Sequence, residues 1–357
     1  MIFTKNNPPK IAIIGGGISG ISMALRFLEN GITPTVIDNG KNNSSKVAAG
    51  LWNPLVFKRL SPSWMVNQLL GELYSYYPKA EQLLKASFFN PMPIYKFIND
   101  ENELKMWQLK QNDTDLYDFT NPVLKRINND QYHQKKGYCT VFRSGFVNIP
   151  QYLEAAKNHL TELSTFISED INYHEFEIVE AQLKFRNFDL IIFAEGKNAI
   201  KNPFFNSLNF NLCKGDILTF RADLSINDAV VNNEGFIVPL GENIYKIGST
   251  YIWDDLSDSP SEEGYKKMLD KIKSIINIPF EILNHESGIR PTTRDRKPII
   301  GYHPDIKNAY IFNGMGTKGV LLSPFFSRVA IEHILFNAPL PADVSYDRNI
   351  KTNNKTV

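Results

Sequence analysis

The chain has 357 residues, 43% of them hydrophobic, so it is long enough to bury a sizeable core as two domains or one large discontinuous domain. Its formal net charge of +1 excludes a global attraction to nucleic acid or anionic lipid, although local basic clusters remain possible. Two cysteines, Cys139 and Cys213, and six scattered histidines make neither a disulfide framework nor a metal-binding motif, so we expect no metal.

The first predicted element is a β–α–β unit from Lys10 to Asp38. Gly15, Gly17 and Gly20 form a G-x-G-x-x-G pattern between the strand IAII and the helical pattern ISMALRFLEN. These glycines permit a tight turn, close approach of a pyrophosphate to the backbone, and close packing of helix on strand. Asp38 ends the second strand, where its carboxylate can accept both hydroxyls of an adenosine ribose. The unit predicts a dinucleotide site; the alternatives are a plain glycine-rich turn and, for Asp38, a strand-end cap.

Three small-residue loops follow predicted parallel strands. They are NSSKVAAGLWNP (43–54), the turn AEG (194–196) after FDLIIF, and NGMGTKGVLLSP (313–324) after AYIF. The continuous apolar runs before the last two loops are typical of a parallel sheet covered on both faces. Small residues let the backbone approach a bulky ligand, and one long ligand across the sheet edge would touch all three loops. FAD is such a ligand, whereas an NAD dehydrogenase usually continues with further regular βα units.

Two other regions have a different pattern. Residues 86–144 mix aromatics, prolines and charges, and residues 211–284 contain CKGDILTFRA, GFIVPL and YKIGSTYIW joined by short polar turns, which favour antiparallel strands. We therefore predict an α/β fold with a Rossmann-like FAD-binding domain built on a parallel sheet, plus a discontinuous, mainly antiparallel β substrate domain. The first comprises 1–85, 145–210 and 285–350, the second comprises 86–144 and 211–284, and the polar tail 351–357 is expected to fray.

The chain resembles a known family in an ordered set of motifs. They are IAIIGGGISG with Asp38, SSKVAAGLWNP, GFVNIPQYLEAA, KGDIL, GFIVPLGENIYKIGSTY, SGIRPTTRDRKPIIG and NGMGTKGVLLSP. In order and rough spacing they resemble the D-amino-acid-oxidase-like FAD oxidoreductases, especially the glycine and sarcosine oxidase branch. They are also similar to the FAD oxidase domain of the bifunctional enzyme that modifies the tRNA wobble uridine. The resemblance covers most of the chain except about 60–135, an aromatic-rich region that we expect to help form the cavity.

The resemblance implies a bound FAD, and we expect it to be noncovalent because the C-terminal turn contains Met315 and Lys318 but no cysteine. The residues that the resemblance assigns to cofactor binding are Gly15, Gly17, Ile18, Ser19, Gly20, Asp38, Ser44, Ser45, Ala49, Gly50, Leu51, Asn53, Val179, Ala194, Gly196, Arg290, Gly314, Gly316, Thr317, Lys318, Gly319 and Val320.

Three residues are assigned to catalysis. Arg290 lies in the basic stretch SGIRPTTRDRKPIIG, and the resemblance implies that its planar guanidinium holds a substrate carboxylate. Lys318 is either an electrostatic partner for negative charge on reduced flavin or a solvated lysine at a helix start. Tyr251 either supplies the hydroxyl that Phe236 lacks or is a buried aromatic. The other basic residues of the stretch, Arg294, Arg296 and Lys297, are interpreted as a solvated face.

The resulting hypothesis is an FAD-dependent oxidoreductase acting on the CH–NH or CH–NH₂ bond of a small amine or amino acid. Hydride transfer to flavin N5 gives an imine that hydrolyses, with oxygen or another electron acceptor as the second partner. One alternative is a stand-alone FAD oxidase acting on a carboxymethylaminomethyl-modified tRNA base, in which Lys58, Arg59, Lys135 and Lys136 would touch phosphates. Another is a redox-silent binding protein. A polar N-terminus and the lack of a run of ~20 apolar residues predict a cytoplasmic protein without a membrane partner.

Overall fold

The computed structural model describes residues 8–110 and 112–348. The predicted frayed tail, 351–357, lies outside the described residues. The described helices are α1 (Ile18–Glu29), α2 (Ser44–Val47), α3 (Val66–Leu84), α4 (Glu101–Leu109), α5 (Ile149–Glu162), α6 (Glu262–Ile275) and α7 (Gly319–Phe336). The described residues also form two large sheets, one of six strands and one of eight.

The first large sheet is mostly parallel. In spatial order its strands are β11 (Phe166–Ile167), β2 (Thr35–Ile37), β1 (Ile11–Ile14), β14 (Leu190–Phe193), β21 (Ala309–Asn313) and β20 (Ile299–Tyr302). All pairs are parallel except β20 with β21. Strands β1, β14 and β21 are buried at every position, as continuous apolar strands covered on both faces must be. The predicted parallel sheet is confirmed.

Helix α7 is the most apolar helix beneath this sheet. It has a mean hydropathy of 1.3 and enough length to cross a membrane. Most of its apolar residues are buried, because α7 packs against both α1 and α3, while Phe336 at its end is exposed. Pro324 lies within α7 and interrupts its hydrogen-bond ladder near the start.

The second large sheet is almost entirely antiparallel. In spatial order its strands are β19 (Glu281–Arg290), β15 (Cys213–Arg221), β18 (Ile244–Gly248), β17 (Phe236–Gly241), β16 (Val230–Asn232), β7 (Ile94–Ile98), β9 (Gly137–Val141) and β8 (Thr120–Lys125). The single parallel pair, β16 with β7, joins two distant segments of the chain into one sheet. Helix α6 covers the face that carries Leu218 and Ile247.

The boundary that the sequence predicted at 285 lies inside strand β19. We expected the FAD-binding part to resume at 285. Strand β19 instead stays paired with β15 as far as Arg290, which is opposite Cys213. The large antiparallel sheet therefore delivers Arg290 directly from its edge strand.

Small sheets complete the described fold. They are a three-stranded sheet of β3 (Leu51–Trp52), β10 (Gly145–Val147) and β6 (Phe89–Pro91), and the pairs β4 (Leu55–Val56) with β5 (Ser61–Pro62) and β12 (Glu177–Val179) with β13 (Gln182–Lys184).

Candidate active site

A cavity of about 1030 Å³ lies between the two large sheets. Its volume is at the top of the range of roughly 300–1,000 Å³ for small-molecule and cofactor sites. One wall is formed where β1, β2, β14 and β21 end, and the other is formed by β15, β17, β18 and β19. In open parallel sheets, ligands bind beyond the carboxyl ends of the strands, and this cavity has that position.

Most of the residues predicted from sequence line this cavity. They are Gly15, Gly17, Ile18, Ser19, Asp38, Ser44, Ser45, Ala49, Gly50, Leu51, Ala194, Gly196, Tyr251, Arg290, Gly316, Thr317, Gly319 and Val320.

The glycine-rich loop has no room for side chains. Gly15 has a φ of +109°, and a Cβ there would lie 2.5 Å from the Ala194 carbonyl oxygen. A Cβ on Gly20 would lie 1.8 Å from the Gly15 carbonyl oxygen, so Gly20 acts through packing of α1 on β1 and does not itself line the cavity. Helix α1 begins at Ile18 without an acidic residue in its first turn. Its free N–H groups and helix dipole therefore favour an anion at this end of the cavity.

For Asp38 the sequence left two roles open, ribose binding and capping of the strand end. Its Oδ1 accepts from the Gly16 N–H and its Oδ2 from the Gly40 N–H, each at 3.0 Å, so it caps the strand end. It also lines the cavity. Each carboxylate oxygen keeps a second lone pair, so the cap and a ribose contact are compatible.

The short helix α2 connects the dinucleotide loop to the antiparallel wall. Ser45 Oγ accepts from the Ile18 N–H at 3.2 Å, and Ser44 Oγ donates to the Ile289 carbonyl oxygen at 2.5 Å. After α2, Gly50 has a φ of +71°, and a Cβ there would lie 1.9 Å from the Val147 carbonyl oxygen. Gly50 is therefore required by the close approach of the Val147 backbone.

Four more predicted residues lie outside the cavity lining. Val179 is exposed on the β12–β13 hairpin. Asn53 makes a local turn, with its side chain bonded to both backbone groups of Leu55. Gly314, with a φ of +79°, packs beneath the turn, where a Cβ would lie 2.9 Å from Thr293 Cγ2.

The fourth is Lys318, at the end of the 3₁₀ turn Gly316–Lys318. Gly316, Thr317 and Gly319 line the cavity, so the turn presents backbone there. The Lys318 Nζ instead donates to Ser63 Oγ at 2.9 Å. The turn therefore lies at the cavity, whereas the Lys318 side chain binds Ser63 on a neighbouring loop.

Arg290 enters the cavity from the end of β19. Its Nη2 donates to Ser249 Oγ at 2.5 Å and to the Thr250 carbonyl oxygen at 3.2 Å. Its Nη1 makes only long contacts, at 3.5 Å to the Lys214 carbonyl oxygen and 3.6 Å to Cys213 Sγ. The guanidinium is thus oriented mainly through Nη2.

Gly215 makes the Arg290 position possible, because a Cβ there would lie 1.8 Å from the Arg290 Nη2. Tyr251 stacks on the same guanidinium, with 4.9 Å between its ring centroid and Arg290 Cζ. It is 59% exposed, which removes the buried-aromatic alternative. Phe236 also lines the cavity and packs on Phe57, 6.0 Å between ring centroids.

A buried carboxylate fixes the segment that holds Arg290. Asp216 is fully buried in β15 and accepts hydrogen bonds from Thr250 Oγ1 at 3.2 Å and from the Ser261 N–H at 3.0 Å. His285 Nε2 lies 3.0 Å from Asp216 Oδ1. The segment with Ser249 and Tyr251 is therefore tied to the start of α6 and to β19.

Glu195 is a lining residue that sequence analysis missed. Burial raises the pKa of its carboxyl to about 7, although Tyr173 and Asn202 both donate hydrogen bonds to it. The signal was present, since an acidic residue interrupts the small-residue turn between Ala194 and Gly196.

Lys246 in β18 was missed as well. It is 9% exposed, burial lowers the pKa of its ammonium group, and its Nζ lies 3.4 Å from the carbonyl oxygen of Val47, which lines the cavity. Its sequence signal was a lysine inside the apolar strand IYKIG. It adds positive charge close to the cavity.

The aromatic-rich region 60–135 does not form the cavity, which corrects our expectation. Among the described residues, none between 52 and 148 lines it. Tyr76, Tyr77 and Trp107 are instead fully buried in the core, and Trp64 stacks on Phe326 of α7. Within this region, α3 packs against α7, whereas β7 and β8 belong to the large antiparallel sheet.

The remaining basic residues also lie outside the cavity lining. Arg294 and Arg296 are exposed, and Lys297 forms an ion pair with Asp343 at 2.5 Å. Arg290 is the member of the stretch that the fold directs inward.

These features fit a bound dinucleotide cofactor, because the cavity has a backbone-lined cradle at the start of α1 and a carboxylate at the end of β2. Together with the second, antiparallel wall, they define the class of two-sheet flavin-dependent oxidoreductases. The chain belongs to the DAO family of FAD-dependent oxidoreductases, whose family model matches residues 10–333.

The relatives agree with this assignment. The tRNA 5-methylaminomethyl-2-thiouridine biosynthesis bifunctional protein MnmC of Saccharophagus degradans is 23% identical over 84% of this chain and 46% of its own length. Glycine oxidase of Bacillus subtilis is 27% identical over 34% of this chain and 35% of its own length. The crystal structure of glycine oxidase from Bacillus cereus has a TM-score of 0.79 at 18% identity, covering 95% of this chain and 99% of that one. The chain spans about half the length of the MnmC proteins that it matches.

Proposed function

We propose that this protein oxidises the C–N bond of a small amine or amino acid that carries a carboxylate. The observation that carries the proposal is the position of Arg290, which lies in the same cavity as the dinucleotide loop and is oriented by Ser249 and Thr250. When bound, FAD supplies a two-electron acceptor for the hydride on the carbon next to the amine nitrogen.

The protein's own task is to position the substrate. Arg290 binds the carboxylate, Tyr251 covers the guanidinium, and the apolar Ile217 and Phe236 restrict water on the same wall. The oxidised substrate is an imine, which water hydrolyses to a carbonyl compound. Gly15, Gly17, Asp38 and the turn 316–319 would hold the cofactor.

The flavin is proposed to be noncovalent and to pass its electrons to oxygen. Cys139 and Cys213 are both buried, and no cysteine among the described residues lines the cavity. Flavin that stays with the denatured protein would contradict the first point. The absence of hydrogen peroxide during aerobic turnover would contradict the second.

The deciding experiment is anaerobic mixing of the flavin-loaded protein with free and N-substituted amino acids, followed by the absorbance of oxidised flavin. We expect loss of that absorbance with at least one carboxylate-bearing amine. A flavin-loaded protein that no such amine reduces would contradict the proposal.

A second candidate is oxidation of a carboxymethylaminomethyl group on a tRNA base. The MnmC proteins supply the motive, and the exposed Tyr251 and Trp253 beside the cavity are a surface on which a base could stack. Salt-sensitive tRNA binding, together with reduction of the flavin by modified tRNA and by no free amino acid, would favour this candidate.

A further inference from the structure

Besides Arg290, several lysines line the same cavity, and the proposed function has not used them. Lys271 of α6 lines the cavity and is half-buried. A Cβ placed on Gly235 would lie 3.3 Å from Lys271 Cδ and 3.9 Å from the Gly248 carbonyl oxygen. Gly248 precedes Ser249, whose hydroxyl binds Arg290. Lys271 and Arg290 therefore flank one short segment of the cavity wall.

Lys271 differs from the other lysines that line the cavity. Lys41 and Lys197 each form an ion pair with an aspartate, and Lys201 is exposed. In the part of the chain that the structure describes, the Lys271 ammonium has neither a hydrogen-bond partner nor an ion-pair partner. An anion bound beside this half-buried cation would supply the partner that its ammonium group lacks.

The charges around Lys271 leave room for such an anion. Burial has the largest effect and lowers the pKa of Lys271, while Glu234 raises it and Lys267 lowers it further. Glu234 is exposed and lies beyond ion-pair distance of the Lys271 ammonium. This corner therefore combines a half-buried cation with a carboxylate, that of Glu234, which does not form an ion pair with it.

We propose that the substrate carries two carboxylates, with Arg290 binding the one next to the amine and Lys271 binding the second. The substrate class is an amino acid with an acidic side chain or an acidic N-substituent. This inference rests on the proposed amine oxidation, since it assigns a substrate class to the same cavity.

The test uses redox-inert ligands, so that it does not depend on turnover. Glutarate and butyrate have similar length and differ by one carboxylate. Each is titrated into the flavin-loaded protein, and binding is followed by the perturbation of the flavin spectrum. We expect glutarate to bind about tenfold more tightly than butyrate, and Lys271→Met to remove that preference.

Two further variants sharpen the result. Lys266→Met removes a cation of the same helix that does not line the cavity, and it should leave both affinities within about twofold. Glu234→Gln removes the nearby carboxylate and should tighten glutarate binding by about two- to threefold. Lys271→Met must retain its flavin, which separates loss of the anion contact from loss of the fold.

Substrates provide the second readout. Lys271→Met should raise the concentration of iminodiacetate or aspartate needed for half-maximal flavin reduction by about tenfold, and leave that of sarcosine or alanine within twofold. An unchanged ratio of glutarate to butyrate affinity in Lys271→Met would overturn this inference. Failure of every amine to reduce the flavin would instead overturn the proposed function.

Discussion

The two walls of the cavity are built in different ways. The wall at the end of the parallel sheet presents mainly backbone, from Gly15, Gly17, Gly50 and the turn 316–319. The wall of the antiparallel sheet presents side chains, above all Arg290, Tyr251 and Lys271. A backbone wall binds a ligand that does not vary, because any added side chain obstructs it. A side-chain wall can change its specificity one residue at a time without disturbing the first.

The largest expected effect is on the backbone wall. Gly15→Ala places a Cβ 2.5 Å from the Ala194 carbonyl oxygen at a φ of +109°, so the loop must shift. We expect FAD binding to weaken on the order of 1,000-fold, measured as the flavin content of the purified protein. Gly71→Ala is the matched control, because a Cβ there meets nothing within 4 Å. Full flavin content in Gly15→Ala would show that this wall tolerates side chains.

Substitutions in the side-chain wall should weaken substrate binding without loss of the cofactor. Arg290→Ala is expected to weaken substrate carboxylate binding by roughly 100- to 1,000-fold, or about 3–4 kcal/mol, while flavin content stays unchanged. Anaerobic reduction over a range of substrate concentrations measures this. Arg290→Lys should recover only part of the loss, because an ammonium group lacks the planar pair of donors. Loss of flavin in Arg290→Ala would mean that the two walls are not independent.

Glu195, which lines the cavity between Ala194 and Gly196, should make the stability of the protein depend on pH. Burial raises the pKa of its carboxyl from 4.5 to about 7 in the folded protein. The protonated form is therefore favoured by folding, and its stabilisation is complete below pH 4.5 and lost as the pH rises through 7. Relative to Glu195→Gln, the wild-type free energy of unfolding should fall by about 2–3 kcal/mol between pH 4.5 and 8. Parallel pH profiles from urea unfolding of the two proteins would contradict a buried, protonatable Glu195.

The smallest effect is expected at Lys318. Its Nζ is bonded to Ser63 and does not line the cavity. Lys318→Met should therefore leave flavin content unchanged and alter the rate of flavin reduction by less than about threefold. A tenfold slower reduction would instead support Lys318 as an electrostatic partner of the reduced flavin.

The features that could be predicted from the sequence are those set by local backbone structure. Continuous apolar strands required a parallel sheet, which is confirmed, and the positive-φ glycines marked the loops that now line the cavity. Sequence patterns worked here because strand, turn and helix in a β–α–β unit are neighbours along the chain.

Residues that depend on distant contacts escaped prediction. For Lys318 the sequence left open an electrostatic partner of the flavin and a solvated lysine, whereas its ammonium group donates to Ser63 on a separate loop. Glu195 owes its raised pKa to burial, and Lys271 reaches the cavity because α6 packs beside a turn from another strand pair. The resemblance assigned Val179 to cofactor binding, but Val179 lies on the β12–β13 hairpin and does not line the cavity. A linear pattern carries no information about such neighbours.

The strand order of the parallel sheet also bears on how the protein is made. Strand β1 pairs with β14, so Ile11 meets Leu190, and β21 joins only after residue 309. A nascent chain that has just completed the glycine-rich loop therefore lacks most of the surface that would hold a nucleotide. We expect flavin to be taken up only after β21 and the turn 316–319 have formed.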